Sequence, residues 1–206
     1  ELIGEIVEAM FGKQHDDPDA ADRSPKIFPV ETPAILSVDN LTLAPSATTP
    51  GLAGISFELR PGELLGIAGI DGNGQKQLAE VLSGQEKASG GRILLENQPI
   101  ERLSVGERRD LGLRYLTDDR LGEGTVGTFA VSVNFLLKQI DHPPFWKKGI
   151  EQSSLIERHA VQLMSEYDVR APGSQTPVGR LSGGNIQKVL LARELAGGAK
   201  VVIFNK

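Results

Sequence analysis

The chain has 206 residues, enough for one domain of ordinary size with a core of its own. Its hydrophobic content of 39%, charged content of 24% and net charge of −5 fit a soluble globular protein, and the acidic balance argues against a nucleic-acid or anionic-membrane binder. The absence of cysteine excludes disulfides, thiolate metal sites and a cysteine nucleophile, and no apolar run approaches the ~20 residues needed for direct membrane insertion.

At the start, Leu2, Ile3, Ile6, Val7 and Met10 recur at helical spacing, and Gly12 closes the segment. A single short helix cannot bury such a stripe alone, so residues 1–12 read as the end of something that precedes them. From Lys13 to Pro33 the composition shifts to Asp, Ser and Pro, with prolines at 18, 25, 29 and 33, which reads as a linker. Ile35 to Leu43 is expected as a strand and Ala44 to Gly54 as a loop. Ile55 to Arg60 alternates as a half-buried strand should.

Pro61-Gly62 turns the chain into Leu64-Leu65-Gly66-Ile67-Ala68, an apolar run of the kind found in a central parallel strand. It feeds Gly69-Ile70-Asp71-Gly72-Asn73-Gly74 and then a helix with Leu78, Val81 and Leu82 on one face, ending at Gly84. Strand, glycine loop and helix are the context of a P-loop, whose consensus is G-x-x-x-x-G-K-[ST]. Gly69 and Gly74 obey it. Gln75 stands in the lysine position and Lys76 in the hydroxyl position, followed by Gln77. The lysine lies between the β- and γ-phosphates and the hydroxyl ligates magnesium. A hydrogen bond to a charged group contributes ~1.5–3 kcal/mol, so its loss should weaken nucleotide binding by roughly 10- to 100-fold. Lys76 is not expected to take over, because one residue along a helix turns the side chain by about 100°.

Gly91 to Ile100 and Leu113 to Leu116 are expected as strands, with Leu103 to Arg109 a polar connector. Tyr115-Leu116-Thr117-Asp118-Asp119-Arg120 follows, with Glu123-Gly124 beyond; as bare chemistry this suits a solvated turn. Val131, Phe135, Leu136 and Ile140 predict one helix, and Ile156, Ala160, Leu163, Met164 and Tyr167 another, around a loop from His142 to Gly149. The histidines at 15, 142 and 159 have no partner at metal or catalytic spacing and read as surface residues, so no metal site is expected. Leu181-Ser182-Gly183-Gly184-Asn185 is a small-residue turn running into a helical pattern from Ile186 to Ala196, which stops at Gly197-Gly198. Free backbone N–H groups and a hydroxyl beside the positive end of a helix make an anion site; taken alone, the turn also reads as Ser182 merely capping the helix. Val201 to Phe204 is a last apolar strand, followed by Asn205-Lys206.

Leu-Ser-Gly-Gly-Asn-x-Gln-Lys at 181–188, followed by Leu191-Ala192-Arg193-Glu194-Leu195, resembles the signature motif of ATP-binding-cassette (ABC) ATPases. Its Asn185 ending and Gln187-Lys188 are similar to the form found in importers of simple sugars and nucleosides. The resemblance implies an α/β fold: a P-loop NTPase core, an antiparallel β subdomain, and a helical subdomain at about residues 128–180 facing a permease. It covers residues 34–206 as a cassette truncated after the Walker B strand, and residues 1–12 resemble the tail of a preceding cassette. By the same resemblance, Asp118 falls at the Q-loop position, which senses the γ-phosphate. Leu181, Ser182, Gly183, Gly184 and Asn185 would close over ATP held by a partner cassette. Asn205 and Lys206 fall where the family carries Asp-Glu; an amide is a weaker magnesium partner, and a lysine has the wrong charge for a general base. Many cassettes stack an aromatic on adenine, and none lies between Leu41 and Ile55.

The expectation is therefore a degenerate second cassette of a tandem importer, without catalytic residues of its own. Its signature would serve magnesium-ATP bound mainly by the first cassette of the same polypeptide. The assembled transporter would be the ATPase, with membrane permease subunits as partners and a peripheral position on the cytoplasmic face. A nucleotide-free structural cassette is the nearer alternative. A soluble ABC ATPase of DNA repair or translation would need intact P-loops and a basic face, which the composition does not offer.

Overall fold

In the computed structural model the described residues are 32–70, 72–140 and 142–205; the helical stripe at residues 1–12, nearly all of the 13–33 linker, Asp71 and Lys206 lie outside them. Strand β1 (Leu36–Leu43) buries Leu36, Val38, Leu41 and Leu43. It pairs antiparallel with β2 (Leu52–Leu59) on one side and with the strand Gly90–Leu95 on the other. Between them in sequence comes helix α1 (Gln75–Ser83), which ends on Gly84 in the left-handed conformation. The strand Gly90–Leu95 is β3. It turns through Glu96 and Asn97, both at positive φ, into the two-residue β4 (Gln98–Pro99), so the predicted strand from Gly91 to Ile100 is a hairpin. The sheet order is β2-β1-β3-β4. Gly91, at φ +91°, sits where this sheet shifts register; a Cβ there would lie 2.6 Å from the Leu41 Cα, so the close approach requires glycine.

The predicted polar connector from Leu103 to Arg109 is instead largely a helix, α2 (Val105–Asp110). The Ser104 hydroxyl accepts from the Glu107 N–H, and the Glu107 carboxylate accepts from the Ser104 N–H at 2.8 Å, a capping box that the apolar periodicity does not reveal. Its Arg108 is only 2% exposed. The guanidinium donates to the Val81 and Leu82 carbonyls at 2.6 and 2.8 Å, supplying partners at the end of α1 where a helix leaves its carbonyls unpaired.

Strand β5 (Leu113–Leu116) runs parallel to the last strand, Val201–Phe204, in register from Leu113↔Val201 to Leu116↔Phe204. A π-helical turn, Arg120–Gly124, follows β5. Helix α3 (Val131–Leu136) is shorter than predicted, and Ile140 lies beyond it, exposed. The loop from His142 to Gly149 contains β6 (Trp146–Lys147), which pairs with β7 (Ile150–Glu151). Helix α4 (Ser153–Glu166) carries His159, half-buried with its ring 4.8 Å from that of Phe145 rather than free on the surface. Helix α5 (Gly183–Leu195) and β8 (Val201–Phe204) complete the chain.

Three apolar clusters result among the described residues, the smallest formed by Leu136, Phe145 and Ile156. Leu78, Val81 and Leu82 of α1 join the antiparallel sheet with Leu113 and Val201, while Val131, Phe135, Ala160, Leu163, Ile186, Val189 and Ala192 bring α3, α4 and α5 together. The run Leu64–Ala68 departs from expectation. It is not a strand, and Leu64 and Ile67 are 95% and 51% exposed. An apolar run becomes a central strand only where neighbouring strands satisfy its backbone and both faces are covered. Among the described residues nothing pairs with it. A cavity of about 1080 Å³ lies between this run and Val202–Phe204.

Candidate functional site

The glycine loop and the first turn of α1 line that cavity together with Asp118 and Asn205. Gly72 and Gly74 take φ of +84° and +99°, a region that side chains rarely enter, so the loop closes onto α1 without steric cost. Gly74 is the N-cap and supplies no side-chain cap. Asn73 donates its N–H to the Ile70 carbonyl at 3.2 Å. Gln75 folds back across the loop, its Nε2 donating to the same carbonyl at 3.3 Å and lying against Gly69. Gln77 is 8% exposed and lines the cavity without a hydrogen bond among the described residues.

Lys76 is directed elsewhere. Its Nζ lies 2.9 Å from Glu123 Oε1 and 3.8 Å from Glu80 Oε1. The other Glu123 oxygen accepts from the Thr117 hydroxyl at 2.8 Å. The hydrogen bond with Glu123 raises the Lys76 pKa above its usual 10.5, and the bonds from Lys76 and Thr117 hold Glu123 below its usual 4.5. Beside them the Tyr115 hydroxyl is buried, and desolvation raises its pKa. The Asn205 N–H donates to the Leu116 carbonyl, continuing the β5–β8 ladder. Of the polar groups lining this cavity, Lys76 is an ammonium already paired and Asn205 a neutral amide. No group of three carboxylates or imidazoles gathers among the described residues. This donor set does not fit a resident magnesium ion.

The signature turn lies apart from that cavity. Ser182 caps α5 in extended conformation, its Oγ accepting from Asn185 N–H at 3.4 Å and from Asn185 Nδ2 at 3.0 Å. Asn185 Oδ1 in turn accepts from the Arg170 N–H at 2.8 Å, tying the cap to the segment after α4. Ser182, Gly183 and Gly184 are exposed, and a Cβ on Gly184 would meet nothing within 4 Å. Gly183 and Gly184 are first-turn amide donors, a position that has no carbonyl one turn earlier to accept them. Leu181 is half-buried against the α3–α4–α5 cluster.

The turn between the two sites contributes residues whose partners the sequence did not indicate. Asp119 Oδ1 caps it by accepting from the Gly122 N–H at 2.8 Å, and Arg120 donates to the Gly183 carbonyl at 3.2 Å. Gly124 is buried against Leu190 of α5. Charge complementarity between Lys76 and Glu123 was visible in principle, but the two are 47 residues apart and nothing local pairs them.

A glycine loop opening one helix, a parallel strand pair ending beside it, and a Ser-Gly-Gly turn opening a second helix define the nucleotide-binding cassette class of P-loop proteins. Residues 52–205 match the family model described as ABC transporter, and the chain belongs to that family. It is 33% identical over 172 residues to the nucleoside import ATP-binding protein NupA of Lactococcus lactis subsp. cremoris, covering 84% of this chain and 34% of that protein. To the ribose import ATP-binding protein RbsA of Chromobacterium violaceum it is 31% identical over 202 residues, covering 98% of this chain and 38% of that protein. The chain thus spans little more than a third of these relatives. A nucleotide-free ATP-binding cassette from an ABC transporter superposes with a TM-score of 0.67 at 22% identity, over 84% of this chain and 68% of that one. The fold is the mixed α/β ABC cassette.

Proposed function

We propose that this chain is a cassette of an ABC importer for a sugar or nucleoside, and that it serves as the degenerate second cassette of a tandem polypeptide. Its contribution is made in trans: Ser182 and the Gly183 and Gly184 amides donate to the γ-phosphate of ATP held by the first cassette. The carrying observation is the contrast between a capped, exposed Ser182-Gly183-Gly184 turn and a P-loop whose cation is already paired with Glu123. Ser182 Oγ accepts from Asn185, so its own proton stays available to a phosphate. Such preorganised donors act on charge that develops in the transition state and are engaged only when two cassettes close. The names of the importer relatives support the solute class. Permease subunits and a position on the inner membrane face come with that reading.

The test uses Gly184→Asp in the assembled transporter. The site has room for a side chain, so the variant should fold with an unchanged melting temperature while ATP hydrolysis falls by at least ~100-fold through repulsion of the phosphate. Retained hydrolysis would refute the trans assignment. A second reading, a cassette that never binds nucleotide, is favoured by Gln75 across the loop and Lys76 paired with Glu123. Hydrolysis by the Gly184→Asp transporter distinguishes the two, since only the first predicts its loss.

A further inference from the structure

We infer that Lys76 and Glu123 form a built-in strap that positions the signature turn without any nucleotide in this cassette's own loop; the inference rests on the trans reading above. The strap has three consecutive joints. Lys76, on the first turn of α1, holds Glu123 at 2.9 Å. Glu123 lies in the Arg120–Gly124 turn, which is made rigid by the Thr117 hydroxyl at 2.8 Å, the Asp119 cap and the Thr125 hydroxyl donating to the Arg120 carbonyl at 2.7 Å. From that turn Arg120 donates to the Gly183 carbonyl and Gly124 packs directly on Leu190, so both contacts fall on α5, the helix that the signature opens.

The same geometry argues against Lys76 as a phosphate ligand. One ammonium faces two carboxylates, Glu123 at 2.9 Å and Glu80 at 3.8 Å, and Asp118 lines the same cavity. Among the described residues that line this cavity or pair with Lys76, one positive charge meets four formal negatives, Glu63, Glu80, Asp118 and Glu123, which repels a polyphosphate. The strap also favours the 120–124 turn against α1 without nucleotide, where a metal and a phosphate chain would hold it only when bound. Lys76 and Glu123 are therefore positioning residues. Because both are partly exposed, the pair should shift an equilibrium by at most about fivefold.

Two measurements test this on the same variants. In the assembled transporter, Lys76→Ala and Glu123→Ala should each lower kcat for ATP about 3- to 5-fold and leave KM unchanged. In the purified full-length protein without nucleotide, amide hydrogen exchange at residues 181–185 should rise by a similar factor in both. Lys76→Arg, and the exchanged pair Lys76→Glu with Glu123→Lys, should return both readouts toward the parent. Unchanged exchange in the single variants, or an exchanged pair no better than either single, would overturn the strap. Ser182→Arg in the same transporter is the control: if it leaves hydrolysis intact, the trans reading has failed, and exchange alone then judges the strap.

Discussion

Two helices of this cassette begin on glycine-rich turns, and they have been built in opposite ways. Helix α5 starts from a hydroxyl cap whose acceptor role is filled by Asn185, leaving exposed donors in front of it. Helix α1 starts from a bare left-handed glycine, with Gln75 folded over the loop and Lys76 bound to Glu123. A helix N-terminus favours anions in both cases. What differs is whether the surrounding side chains leave that preference open. At α5 the first-turn amides stand exposed, whereas at α1 the one cation lining the cavity among the described residues already has partners. A glycine loop before a helix is therefore not enough to infer a working nucleotide site; the charges around it decide.

The largest expected effect on this cassette's own binding comes from forcing α1 to resemble an intact site. Gln75→Lys with Lys76→Ser should tighten ATP binding by up to about 100-fold, read by titration calorimetry. It should leave hydrolysis at background, since Asn205 remains neutral. An unchanged affinity would mean that the loop conformation, not the missing lysine, limits binding. Stability separates the two helix starts next. Gly74→Ala should cost about 1–2 kcal/mol, because an alanine there must hold a left-handed backbone and its Cβ would lie 3.1 Å from a Leu52 methyl. Ser182→Ala should cost about 1 kcal/mol through loss of the cap. Urea unfolding of both variants checks the ranking.

The smallest effect is the pH dependence of the strap. Glu123 is held below 4.5 in the folded protein, so its contribution is present above pH 4.5 and is lost as pH falls through the lowered value. Lys76 is raised above 10.5, so its contribution is present below that pH and is lost as pH rises through the raised value. Exchange protection at 117–124 should therefore form a plateau between these limits and weaken at high salt. Glu123→Gln should remove the acid limb. An acid limb that persists in that variant would assign the titration to another carboxylate.

The sequence by itself determined the pieces whose geometry depends on near neighbours. Glycines at 69, 72 and 74 prescribe a loop and the Ser182-Gly183-Gly184 spacing a capped helix start. The alternation in β1 and β2 gives a sheet face, and the long match at 181–195 carried the family. Ser104 and Glu107 also lie within one turn, so α2 was legible in principle; the apolar periodicity alone missed it. Tertiary structure decided what depends on distant residues. Burial of Arg108 at the end of α1 needs carbonyls 26 and 27 residues away, and the Lys76–Glu123 pair spans 47. Hydrophobicity marked Leu64–Ala68 as a strand, yet a strand is a relation between segments, and among the described residues that run has no partner. Caps and turns are closed by atoms a few bonds apart. Ion pairs, burial and strand pairing are settled only when the fold brings remote groups into contact.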